Sequence, residues 1–162
     1  IETVLRDQFD NVERVEAPGT IEAGDIMMVD NHYYIGLSDR TNIQGAEQII
    51  GILNKYGYTG STVNLKEVLH LKTGLSYLEN NQLVICGEFK NDPIFSRFDH
   101  IDIPEEESYA ANCIWVNDTV LIPTGYPLAK GKIISTGYNV IEVDVSEYKK
   151  LDGGLSCLSL RY

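Results

Sequence analysis

The chain has 162 residues, 43% of them hydrophobic and 23% charged, which is an ordinary composition for one globular domain with a sizeable core. Its formal net charge of −11 disfavours nucleic acids and anionic membrane surfaces as partners. No run of about 18 apolar residues predicts a membrane-spanning helix.

In chain order, the sequence begins with a helix predicted at 2–9 and a short strand at 12–15. Three units of hairpin, helix and strand follow, and each hairpin has a pair of turn-forming Asn or Asp residues at its bend. The predicted segments are a hairpin at 25–36, a helix at 42–56 and a strand at 61–65; a hairpin at 74–86, a helix at 92–98 and a strand at 99–103; and a hairpin at 113–122, a helix at 126–135 and a strand at 138–143. The acidic run at 105–107 is predicted to be a solvated loop.

A unit that recurs every 40–50 residues or so predicts blades around an axis, or an array of repeats. The chain starts with half a unit, and its last segment, 151–162, predicts a first strand without a partner. Unpaired strand edges are a liability in a free-standing domain. We therefore expect part of a closed ring, whose open edges pair with a second copy of the chain in a homo-oligomer.

Three widely spaced cysteines, Cys86, Cys113 and Cys157, are typical neither of a disulfide framework nor of a zinc site. We predict free thiols, no bound metal and a cytoplasmic location. Of the three, Cys157 follows a glycine turn, Gly153-Gly154, and leads into a predicted strand, which would hold it firmly beside room for a substrate. Taken alone, such a cysteine is more often a small buried hydrophobe, and both interpretations stay open at this point.

Two further residues stand in similar settings. His70 lies between two leucines, and Glu22 is flanked by apolar residues directly before Gly24. A histidine in an apolar frame is more often a satisfied core residue than a catalyst, and a carboxylate there needs a partner or a raised pKa. His32 and His100 are predicted to be solvated surface residues.

Glu22, His70 and Cys157 each stand at the start of one unit, although they lie 48 and 87 positions apart. In a radial repeat, equivalent positions of successive units converge on the axis, so the three side chains can meet at one centre. A thiol with an imidazole and a carboxylate nearby is typical of a nucleophile, its acid–base partner and an orienting group.

Five segments carry a resemblance to a known family: EAPGTIEAGDIMM at 16–28, YIGLSDRTNIQGAEQ at 34–48, LHLKTGLSYLE at 69–79, EEESYAANCIWVN at 105–117 and DGGLSCLSLRY at 152–162. In these segments and their order, the whole chain resembles the C-terminal part of the dimethylarginine dimethylaminohydrolase family. That family is grouped with the arginine deiminases and amidinotransferases as guanidino-group-modifying enzymes. The resemblance implies an α/β propeller of five ββαβ-like units. About three and a half of them would lie in residues 1–162, as a single partial domain that lacks N-terminal units.

Residue by residue, the resemblance implies that Cys157 is the nucleophile and His70 the general acid and base. Glu22 would contact both the histidine and the substrate guanidinium, and Arg40 would bind the substrate α-carboxylate. Without the resemblance, a surface ion pair is the more common role for Arg40. Lys72 stands where arginine deiminases and amidinotransferases carry a guanidinium-binding aspartate, which ranks dimethylarginine above arginine as the substrate.

The implied reaction is hydrolysis of dimethylarginine or monomethylarginine to citrulline through a covalent thiouronium on the cysteine. It needs no metal or organic cofactor, because the thiolate is the nucleophile and the substrate already carries the electrophilic cation. Two alternatives stay open: an inactive, self-associating module of the same fold, and an arginine deiminase.

Overall fold

The computed structural model describes residues 2–159, which form a mixed α/β fold with three small sheets of identical topology. In each sheet, an antiparallel hairpin is followed by a third strand that pairs in parallel with the second hairpin strand. The strands are β1 (Ile26–Val29), β2 (His32–Leu37) and β3 (Thr59–Asn64); β4 (Leu75–Tyr77), β5 (Gln82–Ile85) and β6 (Asp99–Asp102); and β7 (Ile114–Val116), β8 (Thr119–Pro123) and β9 (Asn139–Val143). The predicted three-fold repeat of hairpin and returning strand is therefore confirmed.

Five α-helices lie among the described residues: α1 (Glu2–Gln8), α2 (Ile43–Lys55), α3 (Leu71–Gly74), α4 (Pro127–Ser135) and α5 (Ser146–Lys149). The predicted helix of the first unit is α2, and Asn42 caps it by accepting a hydrogen bond from the backbone N–H of Gly45. Gly57 follows the helix with a φ of 82°, a left-handed conformation that glycine adopts without strain. None of the helices in residues 2–159 has the length and hydropathy needed to cross a bilayer.

The hairpin bends fall where the sequence predicts them. Asn80 and Asn81 both have positive φ, at 48° and 63°, and Asn117 and Asp118 do the same at 47° and 59°. Two consecutive left-handed residues produce the turn whose twist matches that of the flanking strands, and Asn and Asp tolerate this conformation best after glycine.

The second sheet lies between two hydrophobic clusters. Leu83 and Ile85 belong to one cluster, which includes side chains of the first unit, whereas Val84 between them belongs to the other cluster, which includes side chains of the third. Successive side chains of a strand point to opposite faces, so β5 is buried on both sides. The first strands of neighbouring sheets also contact each other, β1 with β4 and β4 with β7.

Several predicted elements differ from the structure. Residues 12–15 form no strand, and within the helix predicted at 92–98 only a short 3₁₀ turn, Pro93–Phe95, is present, directly after another at Gly87–Asn91. Asp92 has extended backbone, accepts a hydrogen bond from the N–H of Ile94 and precedes a proline, so it starts a new turn and interrupts the helical pattern.

Two predictions on acidic and C-terminal segments also need correction. Glu107 in the acidic run is buried, because its carboxylate accepts hydrogen bonds from the first turn of α4. Cys157 lies in a 3₁₀ turn at Leu155–Leu158 and not on a strand. The final part of that predicted strand, 160–162, lies outside the described residues.

Candidate active site

One cavity brings together residues from distant parts of the chain. His70 and Lys72 line it from the α3 region, Tyr109 and Asn112 from the segment before β7, and Cys157 from the C-terminal turn. The structure thus places two of the predicted site residues, His70 and Cys157, in one cavity although 87 positions separate them. Glu22 and Arg40 are not among the residues that line it.

His70 is held at the start of a helix. It has extended backbone (φ −142°, ψ 156°) and directly precedes α3, and its side chain is 12% exposed. A Cβ at Gly24 would lie 3.1 Å from Cγ of the imidazole, so the glycine gives the ring room to lie against the backbone of the 3₁₀ turn at Ala23–Asp25. His70 is therefore a packed side chain with one edge on the cavity.

The carboxylate partner of His70 is Asp25, which is fully buried. Its Oδ1 is 3.1 Å from the imidazole Nδ1 and also accepts a hydrogen bond from the backbone N–H of Leu71 at 3.1 Å. Its Oδ2 accepts hydrogen bonds from the hydroxyls of Ser38 at 2.7 Å and Thr41 at 2.6 Å. Both carboxylate oxygens are thus fully occupied.

The network around Asp25 determines the histidine tautomer. The Ser38 hydroxyl oxygen accepts from the backbone N–H of Arg40, and the Thr41 hydroxyl oxygen accepts from that of Glu22, so both hydroxyl protons are available to Asp25. A carboxylate surrounded by donors accepts from the imidazole as well, which assigns the proton to Nδ1. Nε2 is then left for chemistry in the cavity.

Asp25 is a partner that the prediction did not include, since Glu22 was expected to contact the histidine. Asp25 ends the 3₁₀ turn that follows Glu22, and it bonds to the imidazole. The contact of Glu22 with the histidine stays a prediction. The backbone of Glu22 still belongs to the network, through its N–H bond to Thr41 at 2.9 Å and its carbonyl bond to the N–H of Asp25 at 3.0 Å. Its contact with a guanidinium stays a prediction.

Sequence reasoning missed Asp25. The available signal was an aspartate at the entrance of an apolar strand, in GDIMM, where a carboxylate is buried and must be paired. Ser38 and Thr41 belong to the same missed network. They flank Arg40 in the turn between β2 and α2, so Asp25 holds that turn as well as the histidine. Whether the exposed Arg40 binds a substrate carboxylate stays a prediction.

Cys157 differs from the other two cysteines in its surroundings. It is exposed, and its backbone N–H donates to the carbonyl of Gly154 at 3.0 Å. Burial raises the pKa of the Cys86 thiol to about 11 and that of the Cys113 thiol to about 12, so both stay protonated near neutral pH. All three thiols are free, and within residues 2–159 no three or more His, Cys, Asp or Glu side chains form a group that could hold a metal ion.

Comparisons with known proteins agree with this geometry. The arginine deiminase family model matches residues 5–114. An N(G),N(G)-dimethylarginine dimethylaminohydrolase from Pseudomonas aeruginosa is 63% identical over 161 residues, which are 99% of this chain and 63% of that protein. One from Streptomyces coelicolor is 29% identical over 93% of this chain and 58% of its own length. The chain thus spans about three fifths of the length of these relatives.

A solved structure of the Pseudomonas enzyme superposes on this chain with a TM-score of 0.95 at 62% identity. The match covers 99% of this chain and 63% of that one. In that structure a cysteine-to-serine variant of the enzyme is complexed with citrulline.

Proposed function

Because the chain belongs to the arginine deiminase family, we propose that it carries the nucleophile and the acid–base group of a dimethylarginine hydrolase. The reaction is Nω,Nω-dimethyl-L-arginine plus water to L-citrulline plus dimethylamine, with monomethylarginine as a second substrate. The observation that carries the proposal is the shared cavity of Cys157 and His70, in a chain so similar to a dimethylarginine dimethylaminohydrolase.

In the proposed mechanism, the thiol proton of Cys157 passes to Nε2 of His70, and the resulting thiolate forms a bond to the guanidinium carbon. The C–N bond to dimethylamine then breaks as Nε2 donates that proton to the leaving nitrogen. A thiouronium on Cys157 remains. His70 then accepts a proton from water, whose oxygen attacks the same carbon, and the C–S bond breaks to release citrulline and the thiolate. Acid–base catalysis of this kind contributes roughly 10²–10⁴-fold to the rate.

Asp25 supports this chemistry through the tautomer. With the Nδ1 proton donated to Asp25, Nε2 is the nitrogen that exchanges protons with the leaving group and with water. We assign Glu22 to the substrate guanidinium and Arg40 to the α-carboxylate. Both lie on segments that bond to Thr41 or Ser38 and through them to Asp25.

The experiment is citrulline release by the purified protein. We expect turnover of dimethylarginine that disappears in Cys157→Ser and persists in Cys86→Ala, since Cys86 is a buried thiol outside the cavity. Covalent labelling by a guanidine-like alkylator should occur at Cys157 in the same preparations. An absence of both turnover and labelling would contradict the proposal and would favour an inactive, self-associating module.

Arginine serves as the second substrate in this assay. A higher kcat/KM for arginine than for dimethylarginine, with ammonia as the product, would assign the chain to the arginine deiminases. Lys72 lines the cavity two residues after His70, where an aspartate would otherwise attract an unmethylated guanidinium. We therefore expect dimethylarginine to be preferred.

We also propose that the three sheets are consecutive units of a five-unit α/β propeller, about three and a half of which lie in this single domain. Contacts between the first strands of successive sheets support a radial arrangement, because these strands would line the axis. We propose a homo-oligomer, because open sheet edges pair readily with another copy of the chain, and separately a cytoplasmic location. Light scattering that gives a monomer of 18.1 kDa for this chain would contradict the oligomer.

A further inference from the structure

The turn that carries Cys157 is held from one side by the segment that precedes β7. We propose that Tyr109 and Asn112, in that segment, are positioning residues for the Cys157 thiol. Tyr109 and Asn112 would act through hydrogen bonds to the backbone and side chains of the three or four residues directly before the cysteine. This inference rests on the proposed function, in which Cys157 is the nucleophile.

Asn112 makes two hydrogen bonds to Ser156, the residue directly before Cys157. Its Oδ1 accepts from the backbone N–H of Ser156 at 2.9 Å, and its Nδ2 donates to the Ser156 hydroxyl at 2.9 Å. One side-chain amide therefore fixes both the backbone and the side chain of the neighbouring residue. Asn112 is itself 8% exposed, so water competes little for these bonds.

Gly154 is needed for this approach. A Cβ at Gly154 would lie 2.8 Å from both Cγ and Nδ2 of Asn112, closer than side chains come to one another. The second glycine of the Gly153-Gly154 pair is therefore explained by contact with the amide of Asn112.

Tyr109 fixes the other end of the turn. Its hydroxyl donates to the carbonyl of Gly153 at 2.6 Å. Its ring lies 5.7 Å from that of Tyr126, and the Lys149 ammonium sits 4.7 Å above it. Lys149 also donates to the hydroxyl of Tyr126 at 2.7 Å, so this lysine connects the two tyrosines through a cation–π contact and a hydrogen bond.

The segment is in turn attached to the sheet that begins just after His70 and α3. The Ser76 hydroxyl in β4 is buried, donates to the carbonyl of Ala111 at 2.8 Å and accepts from the N–H of Cys113 at 3.2 Å. Ala111 and Cys113 flank Asn112. Hydrogen bonds on both sides of Asn112 thus attach its backbone to the sheet beside the histidine, while its side chain bonds to the turn with the thiol.

The first test is a comparison of kcat with KM. A nucleophile displaced by about 1 Å loses roughly 10²-fold in rate, so Asn112→Ala should lower kcat by about 10- to 100-fold and change KM by less than about threefold. Asn112→Asp keeps the acceptor and loses the donor, and it should lie between Asn112→Ala and the wild type. Gly154→Ala displaces the same amide from the opposite side and should resemble Asn112→Ala.

Tyr109→Phe has a matched control in Tyr138→Phe. Each change removes one hydroxyl that donates to a backbone carbonyl. Tyr109 donates to Gly153 at 2.6 Å, and Tyr138 donates to Glu79 at 3.0 Å. Of the two tyrosines, only Tyr109 lines the cavity. We expect Tyr109→Phe to lower kcat by about 3- to 10-fold, the amount that one hydrogen bond is worth, and Tyr138→Phe to leave it unchanged.

Hydrogen exchange gives a readout that does not depend on turnover. In Asn112→Ala and Tyr109→Phe, amides of 153–158 should exchange faster while those of the three sheets keep their protection. Wild-type kcat in both variants, or faster exchange spread over the whole chain, would overturn the inference. If the wild-type protein has no activity, the proposed function fails, and the local exchange still decides whether these residues hold the turn.

Discussion

Two buried carboxylates, Asp25 and Glu107, occupy comparable positions in different parts of the molecule. Each accepts hydrogen bonds from the backbone at the start of a helix, Asp25 from Leu71 in α3 and Glu107 from Leu128 and Ala129 in α4. A helix N-terminus presents free N–H groups and a partial positive charge, so a buried carboxylate is well satisfied there.

The two sites differ in what else they hold. Glu107 uses both oxygens on the backbone of α4, at 3.2 and 2.7 Å, and attaches that helix to the segment before β7. Asp25 accepts only one hydrogen bond from a helix, and its other partners are the imidazole of His70 and two hydroxyls. The function of a buried carboxylate is therefore determined by its partners, and burial alone does not distinguish an anchor from an orienting group.

The largest expected effect is on catalysis in Asp25→Asn. An amide cannot accept from all four donors, and if its NH₂ faces the imidazole, the histidine takes the tautomer that leaves the wrong nitrogen in the cavity. We expect kcat to fall by roughly 10²–10⁴-fold, the range that acid–base catalysis supplies. Steady-state kinetics with dimethylarginine measures it. A kcat within about threefold of wild type would contradict the assignment of Asp25 as an orienting group, and both carboxylates would then be structural anchors.

Glu107→Gln is the matched control and should affect stability. The single amide oxygen of glutamine replaces two carboxylate oxygens, so one of the two α4 N–H groups loses its acceptor. An unsatisfied buried N–H costs about 1–3 kcal/mol. We expect the free energy of unfolding to fall by about this amount in urea titrations. The kcat of the folded protein should stay nearly unchanged, because Ser76 still holds the segment before β7. A large loss of kcat would show that Tyr109 and Asn112 also need the attachment to α4 to hold the turn with Cys157.

A smaller effect is expected at the hydroxyl that connects Asp25 to the turn with Arg40. Ser38→Ala removes the donor to Asp25 and the acceptor for the backbone N–H of Arg40, so the turn that carries the arginine is held less firmly. KM for dimethylarginine should rise by about 3- to 10-fold, with a smaller change in kcat. Ser96→Ala is the control, since that hydroxyl bonds only to the carbonyl of Pro93. Equal KM values in Ser38→Ala and Ser96→Ala would contradict a role of the Arg40 turn in substrate binding.

The last prediction concerns stability at alkaline pH and has no effect near neutral pH. The pKa values of Cys86 and Cys113 are raised by burial to about 11 and about 12, whereas an unfolded thiol titrates near 8.5. The unfolded state loses these protons first, so the stability they contribute is complete below about pH 8.5 and is lost as pH rises toward about 11 for Cys86 and about 12 for Cys113. Urea titrations should show this decline, and Cys86→Ala should reduce its slope. An unchanged slope would mean that other groups, such as the half-buried tyrosines whose pKa values are also raised by burial, cause the decline.

Local patterns predicted most of the fold. The Asn and Asp pairs at the bends, the Asn42 cap and the apolar alternation of the strands act within a few residues, and the hairpins, α2 and α4 lie where they predict. The pairing of His70 with Cys157 in one cavity followed from the repeat.

Other features depend on contacts between distant residues. The histidine's partner is Asp25 because a 3₁₀ turn, and not a strand, follows Glu22, and no pattern in the sequence shows how many residues such a turn advances. The 3₁₀ turn at Cys157 likewise depends on Asn112 and Tyr109, which are 44 positions away from their partners. Local propensity cannot anticipate bonds of this range.

The hairpin bends have a practical consequence for reagents. Asp25, α3 and Asn112 each lie just before the first strand of a hairpin, so the bends at 30–31, 80–81 and 117–118 lie at the opposite ends of those strands. A fluorophore attached beside the bend at 117–118, with Asn117 and Asp118 both kept, would therefore report on the folded protein from outside the cavity. A pair of dyes at two of these bends would measure the spacing of adjacent sheets in solution without altering turnover.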